Sequence, residues 1–464
     1  MINTLTSLRI FFALMVFGAH CYVLDTSFDA HFFKEGFVGV SFFFVLSGFI
    51  IAYNYQEKLL TKTTTKRTFW VARIARIYPL HLLTLLIAAC IGGYVQYSDT
   101  TDWIKHFVAS TFLLQPFFPS ADYFFSFNSP SWSLGCEQLF YFCFPFVIPF
   151  LNSRRKLLVI LSICLPVMLA GMYLTADEQI KAYWYVNPIT RLPDFFVGVL
   201  LYQIYQALHN KKISYSTGTL SEVASVALFL LFYLCAADIP KVYRYSCYYW
   251  LPVSLMILIF AFQKGGISRL LSNRFLIIGG EISYSFYLIH LFIILTYTKM
   301  AALYQWQVSW MISVPLIFGI TITLSLLSYY YFEKPANKWV KRILTKLVLL
   351  AGFATLNAAF FPAGDVLLLF VVVGIILFIV RKWSDKAILI TAILFSLQPI
   401  EWFHYIMSLF NPAYTLPDLN VGAMYSEVAD YTKNGTFWEF LIGNVTLGQK
   451  ASLFWAIGAG RFLQ

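Results

Sequence analysis

Charge is scarce in this chain of 464 residues: Asp, Glu, Lys and Arg make up only 12% of it, about half the share of a soluble domain. A water-soluble globular protein needs more polar surface than that, and a disordered chain needs more still, so both are excluded. Acidic residues are the scarcer kind, 22 against 33 Lys and Arg. The resulting positive balance does not point to nucleic acid, because most of the cations sit in short clusters between apolar runs: Lys58 to Arg76, Arg154 to Lys156, Lys211 and Lys212, Lys264 to Arg274, Lys334 to Lys346, and Arg381 to Lys386. That is the spacing of cytoplasmic loops under the positive-inside rule. The seven cysteines stand singly in apolar stretches, with no CxxC and no metal-ligand spacing. This excludes a disulfide scaffold and leaves them as small core residues, and no metal is expected. The N-terminus lacks a basic segment followed by a cleavage site, so its first apolar run reads as a retained helix.

What is abundant is apolar and aromatic: 59% hydrophobic residues, with 47 Phe and 30 Tyr. The chain reads as an all-α, polytopic helical membrane protein, with lipid as its principal contact. Runs of the length needed to span a bilayer, about 20 residues, lie near 5–24, 36–56, 77–97, 132–151, 157–176, 188–207, 219–236, 247–263, 276–298 and 309–332. A further run at 103–118 contains Lys105, His106 and Pro116. Read as peripheral on the outer face, it leaves every basic cluster on one side, so ten helices cross and the N-terminus is cytoplasmic. Beyond Lys346 come runs near 347–361, 365–380, 386–403 and 445–464, about four further membrane helices. The polar stretch 404–444 between the last two has the composition of a loop. The reading divides the chain into a unit over 1–342 and a C-terminal unit over 343–464. The latter stops inside an apolar run, as a truncated or fused chain would.

Ionisable residues at membrane depth are costly and so mark candidate sites. Arg9 and His20 lie eleven residues apart in the first run, about 16 Å of helix rise and about three turns. They share one face, with Arg9 toward the cytoplasm and His20 toward the outside. Arg73 and Arg76, three apart, form a fork suited to phosphate or carboxylate, or else an ordinary topological anchor. Ser131-Trp132-Ser133 opens a helix from the outer face with Ser131 as its expected cap. Glu137 then lies about 9 Å below that end, at the depth of His20, Arg191 and Asp194. A His/Glu pair there could deprotonate an acceptor hydroxyl while an arginine stabilises a developing oxyanion. The competing reading is a buried ion-pair network that only holds the bundle together. Gly36, Gly39 and Gly48 suit close helix approach, and packing outweighs a catalytic role for Ser47. In the ninth run Glu281 is placed to meet the arginines, Tyr284 and Tyr287 to donate hydrogen bonds into a pocket, and His290 near mid-membrane. His81 reads as a packing histidine, and Glu333 as part of an interfacial ion pair.

In this order, Arg9-x10-His20, Gly39-Val-x-Phe-Phe-Phe-Val-Leu-Ser-Gly-Phe49, Arg73-x-x-Arg76-x-Tyr-Pro, Ser131-Trp132-Ser133 with Glu137, Glu281-x-Ser283-Tyr284-Ser285-x-Tyr287-Leu-Ile-His290 and Phe332-Glu333-Lys334-Pro335 resemble the bacterial acyltransferase type 3 family of integral-membrane O-acyltransferases. The resemblance covers about residues 1–342. It implies acetyl-coenzyme A as a cytoplasmic acyl donor and, as acceptor, a sugar hydroxyl of an envelope polysaccharide or its lipid-linked precursor at the inner membrane. It also implies catalysis by His20 and retention of the coenzyme A phosphates by Arg73 and Arg76. On this reading Arg9 assists the pair, Glu137 orients the imidazole, and Arg191 is a weaker oxyanion candidate. Ser131, Trp132, Ser133, Tyr284 and His290 line the substrate pocket. The stretch from Asn357 to Asp365 is similar to part of a second, uncharacterised family of the same transmembrane acyltransferase superfamily, and no catalytic residue is assigned there. The alternative from another class is a transporter or flippase for a lipid-linked sugar or small anion, since buried His, Glu and Arg also serve proton relays. The absence of inverted repeats counts against it.

Overall fold

The computed structural model describes residues 2–91, 97–306, 308–341, 421–444, 447 and 451. Contacts divide the chain into Met1–Lys341 and Arg342–Gln464. In the first unit the ten expected runs each correspond to a helix among the described residues: α1 (Asn3–His20), α2 (Val38–Leu60), α3 (Lys66–Ile91), α5 (Trp132–Val147), α6 (Arg154–Leu174), α7 (Pro188–Leu208), α8 (Tyr215–Cys235), α9 (Trp250–Ala261), α10 (Arg274–Leu303) and α11 (Trp310–Leu327). Seven of the described helices are long and apolar enough to cross a membrane on length and hydropathy alone. The other three are α5 and α9, which are short, and α7, which carries Arg191 and Asp194. Between α3 and α5 lies α4 (Thr100–Thr111), whose twelve residues cannot span a bilayer. This agrees with the peripheral reading of that segment.

Two boundaries differ from expectation. The third helix begins at Lys66, eleven residues before the apolar run, because Lys66, Arg67, Arg73 and Arg76 are good helix formers that extend it beyond the hydrophobic zone. In the second unit, α12 (Val421–Asn434) occupies part of the stretch expected to be a loop. Its Ala, Met and Glu favour a helix, and the Asn434-Gly435 turn ends it where that signal lies. A short α13 (Phe437–Gly443) follows, opened by Thr436, which donates its backbone N–H and hydroxyl to Glu439. The apolar runs at 347–361, 365–380 and 386–403, the Asn357–Asp365 stretch, and 445–464 apart from residues 447 and 451 lie outside the described residues.

Glycine decides how closely the central helices approach. On α2, a Cβ at Gly48 would strike the Phe195 carbonyl of α7, and one at Gly198 of α7 would strike the Val45 carbonyl of α2. The two backbones therefore touch where they cross. Helix α1 is gripped in the same way on two sides. A Cβ at Gly39 would come within 2.5 Å of Phe12 O, one at Gly36 would overlap Met15 O, and on α10 one at Gly280 would overlap Thr6 O. Hydroxyls fasten the start of α1: Thr4 donates to Phe260 O at 2.6 Å and Ser7 to Leu271 O at 2.5 Å. Without a hydrophobic drive between helices in lipid, such small-residue contacts and side-chain hydrogen bonds are what position them.

Gly198→Val should therefore force α2 and α7 apart and lower folded yield and thermal stability in detergent, since overpacking costs typically about 1–3 kcal/mol and backbone contact costs more. Gly319→Ala, with nothing within 4 Å of the added methyl, is the control that should leave both unchanged; equal behaviour of the two variants would contradict the packing account.

Candidate active site

Three cavities lie in series along α1. The largest, about 500 Å³, surrounds its C-terminal end and is lined by His20, Ser129, Trp132, Tyr185, Tyr287 and Lys181 among others. A second, about 180 Å³, surrounds the N-terminal end and is lined by Arg9, Arg73, Arg76, Glu137, Tyr141 and Tyr284. A constriction of about 50 Å³ borders both: it shares Arg9, Phe43, Glu137 and Tyr284 with the second, and Val40 and Tyr287 with the first. Successive cavities with shared walls thus lie between Arg9 and His20.

His20 ends α1, and its orientation is set by hydrogen-bond partners. On α10, His290 is buried and its Nδ1 faces the carbonyls of Tyr287 at 2.8 Å and Phe286 at 3.3 Å. Carbonyls only accept, so Nδ1 of His290 carries the proton and its Nε2 accepts. His20 Nδ1 lies 3.2 Å from that Nε2 and 2.9 Å from Val16 O, two acceptors, so it is the donor. The lone pair of His20 is thereby placed on Nε2, the nitrogen with no hydrogen-bond partner among the described residues, on a ring that lines the large cavity. The orienting group expected for this imidazole is Glu137; the structure puts His290 in that place instead.

Glu137 belongs to the arginine cavity. Four residues further along α5, Tyr141 donates to its Oε2 at 2.9 Å and contacts Ser47 Oγ at 3.2 Å. Arg73 donates to Tyr55 OH at 3.2 Å and lies over the rings of Tyr55 and Tyr141, with no carboxylate within ion-pair distance among the described residues. Arg76 pairs with Glu333, which also accepts from Ser285 at 2.7 Å. Glu333, at the end of a π-helical turn after α11, rather than Glu281, is thus the arginine partner; Glu281 accepts from Tyr329 at 3.0 Å. Pro79 contributes to this arrangement: lacking an N–H, it leaves Ala75 O unbonded within α3, and Asn337 donates to that carbonyl at 3.0 Å. Two turns away from this fork His81 is buried against Ser110 O at 2.9 Å, a packing histidine as read.

Arg191 and Asp194 take the structural role that the sequence left open. Both are fully buried, 2.8 Å apart, one turn apart on α7. Arg191 also donates to Ser41 at 2.8 Å, and Asp194 accepts from Ser246 at 2.7 Å and from the indole of Trp250. Arg191 lines none of the described cavities, so it ties α2, α7 and α9 together rather than facing His20. Of the expected pocket residues, Trp132 lines the His20 cavity and Ser133 the constriction, where its hydroxyl donates to Pro130 O at 3.0 Å. Tyr284 lines the constriction and the arginine cavity, but its hydroxyl is given to Ile77 O at 2.7 Å. Ser131 is buried and does not cap α5; its Oγ accepts from Gln115 at 3.1 Å. Tyr141, which lines the arginine cavity, and Lys181 and Lys241, which line the His20 cavity, are residues that motif reading passes over. The spacing of Tyr141 from Glu137, one helical turn, is the sequence signal that could have found it.

A family profile described as an acyltransferase domain matches residues 2–330. The chain belongs to the acyltransferase type 3 family. It is 29% identical over 325 residues to the acyltransferase MdmB of Streptomyces mycarofaciens, covering 63% of this chain and 78% of that protein. It is 27% identical over 340 residues to YrhL of Bacillus subtilis, provisionally named a peptidoglycan O-acetyltransferase, covering 65% of this chain and 50% of that one. With a provisionally named O-acetyltransferase of Staphylococcus aureus (strain COL) it shares 25% over 331 residues, 65% of this chain and 53% of the other. The chain thus spans about half the length of the last two relatives. No solved structure matches it. The acyltransferase motifs map onto the cavity series and the helices that enclose it.

Asp194→Ala should strongly destabilise the acyltransferase, because it strands a buried guanidinium, a loss of about 3–5 kcal/mol. Replacing both partners with apolar residues, Arg191→Met with Asp194→Leu, should lose much less, measured by thermal unfolding in detergent. If the double variant is the worse of the two, the pair is not the structural clamp described.

Proposed function

We propose that the protein is an O-acetyltransferase of the inner membrane that moves an acetyl group from cytoplasmic acetyl-coenzyme A to a sugar hydroxyl of an envelope polysaccharide or its lipid-linked precursor. The observation that supports this best is the cavity series, with a cation cluster at one end and a base with a free nitrogen at the other. The 1–342 unit carries the whole reaction on this reading, with the N-terminus in the cytoplasm. Arg73 and Arg76, helped by Arg9, hold coenzyme A phosphates by charge-assisted hydrogen bonds, and the pantetheine arm passes the constriction beside Tyr284 and Ser133. Glu137 and Glu333 keep the three arginines from repelling one another while the site is empty.

His20 is the general base. As the acceptor oxygen attacks the thioester carbon, its proton passes to His20 Nε2; the C–S bond breaks and the leaving thiolate takes that proton from the imidazolium. His290 is a positioning residue that acts through His20, holding the tautomer that leaves Nε2 basic. The names of the relatives, two of them O-acetyltransferases and one directed at peptidoglycan, favour an acetyl group and a saccharide over other acyl transfers.

His20→Ala should abolish transfer with folded yield preserved, read as label moving from radioactive acetyl-coenzyme A to extracted glycan in detergent. A transporter requires a sealed compartment and would give no signal there. Arg73→Ala is the clean donor variant, since Arg73 has no carboxylate within ion-pair distance among the described residues and Glu137 keeps Arg9 and Arg76 beside it. Loss of one charge-assisted contact, about 1.5–3 kcal/mol, should raise the KM for acetyl-coenzyme A at least about tenfold with acceptor KM unchanged. An unaltered donor KM would make it a topological anchor. A chain ending after residue 345 should keep its transfer rate per folded molecule; a loss as complete as that of His20→Ala would place essential residues in the C-terminal unit.

A further inference from the structure

The cations around the His20 cavity have no topological reason to be where they are. Lys34, Lys181 and Lys241 all line it, and all three lie outside the basic clusters that mark the other end of α1. Lys34 is neutralised by Asp29 at 2.7 Å. Lys181 and Lys241 have no carboxylate within ion-pair distance among the described residues; Glu35, whose charge acts on Lys241, is already taken by Arg244 and, at 2.6 Å, by Tyr249. Each ammonium instead sits over an aromatic ring, Lys181 at 4.6 Å from Phe125 and Lys241 at 5.8 Å from Tyr245. Partial enclosure, and after it the charge of Lys241, pushes Lys181 below its ordinary pKa; enclosure and then Arg244 do the same to Lys241. Both side chains are nonetheless exposed, so two unpaired like charges face the cavity where an anion entering it can reach them. Beside them Tyr185 packs between Trp132 at 4.7 Å and Tyr245 at 4.5 Å, its ring tilted against both, an aromatic wall of the kind on which the C–H faces of a sugar ring pack.

We propose that the His20 cavity takes a saccharide bearing an anionic group, a carboxylate or a phosphate, and that Lys181 and Lys241 hold this group and so select which hydroxyl meets His20. The inference rests on the acetyl-transfer reading above and adds the chemical class of the acceptor. The anion fixes one end of the sugar at the lysines, the aromatic wall fixes its plane, and the hydroxyl that then falls beside Nε2 is the one acylated.

The test uses the full chain in nanodiscs of zwitterionic lipid, radioactive acetyl-coenzyme A, and envelope glycan of the host separated by anion exchange into neutral, carboxylate-bearing and phosphate-bearing pools. Label should enter one of the charged pools, which also tells the two anion sources apart. The K181Q/K241Q double variant should raise the KM for that pool at least about tenfold, as loss of charge-assisted contacts implies, with the KM for acetyl-coenzyme A unchanged and K181R/K241R restoring activity. Raising salt from about 0.05 to 0.5 M should weaken acceptor use by the native protein more than by K181Q/K241Q. Label in the neutral pool, or an equal loss on every pool, overturns the proposal. So does a defect that arises only once phosphatidylglycerol is added, since the lysines would then be headgroup anchors. No label in any pool overturns the acetyl-transfer reading itself, a different outcome from label in the neutral pool.

Discussion

Everything in this structure depends on holding one helix still. Helix α1 carries both Arg9 and His20, so its axial position sets the span between the cation cluster and the base, and its rotation decides whether both face the same cavities. In lipid that grip cannot come from the hydrophobic effect, and backbone contact supplies it: Gly36 and Gly39 on one side, Gly280 on the other, and hydroxyls of Thr4 and Ser7 tied to carbonyls at its start. Helix α10, which presses Gly280 against α1, also brings His290 to the ring of His20. The contact that packs the bundle and the contact that fixes the imidazole are therefore made by the same pair of helices.

The buried charges divide by what they face. Arg191 and Asp194 are sealed among Phe44, Ser41, Ser246 and Trp250, where an ion pair satisfies polar groups that the chain has committed to the interior. Arg9, Arg73 and Arg76 face a cavity, and their positive charge is only partly offset by Glu137 and Glu333. A guanidinium left under-compensated against open space is a receptor for an anionic ligand, whereas one closed off with its carboxylate is a clamp. The same distinction separates Lys34, paired with Asp29, from Lys181 and Lys241.

The architecture was largely legible because lipid imposes it: the ten apolar runs of the first unit correspond to helices, seven of them long and apolar enough to cross a membrane, and the polar residues within 103–118 mark the peripheral α4. The motif residues were legible as a set, and the glycines of α2 were rightly read as packing positions. Which residues meet was not legible. Counting from the helix ends places Glu137 and Arg191 level with His20, but the seating and rotation of α5 and α7 put Glu137 on the arginine cavity beside Arg9 and Arg191 on none of the described cavities. That rotation is set by Gly198 against Val45 and by Gly135 against Leu113 and Pro116, contacts distant in sequence. His290 could be placed only near mid-membrane, since nothing local links it to His20, 270 positions away. The helix at Val421–Asn434 was missed because scattered turn residues around it dominated the composition.

The central claim is that the donor and the acceptor approach His20 from opposite ends of α1. It is tested most directly in sealed proteoliposomes with the protein in one orientation, acetyl-coenzyme A supplied only on the face of the Arg73 and Arg76 cluster and glycan acceptor only on the other. The account predicts acetylated glycan, with coenzyme A released on the donor side. Transfer that proceeds only when both reactants share one face would contradict it.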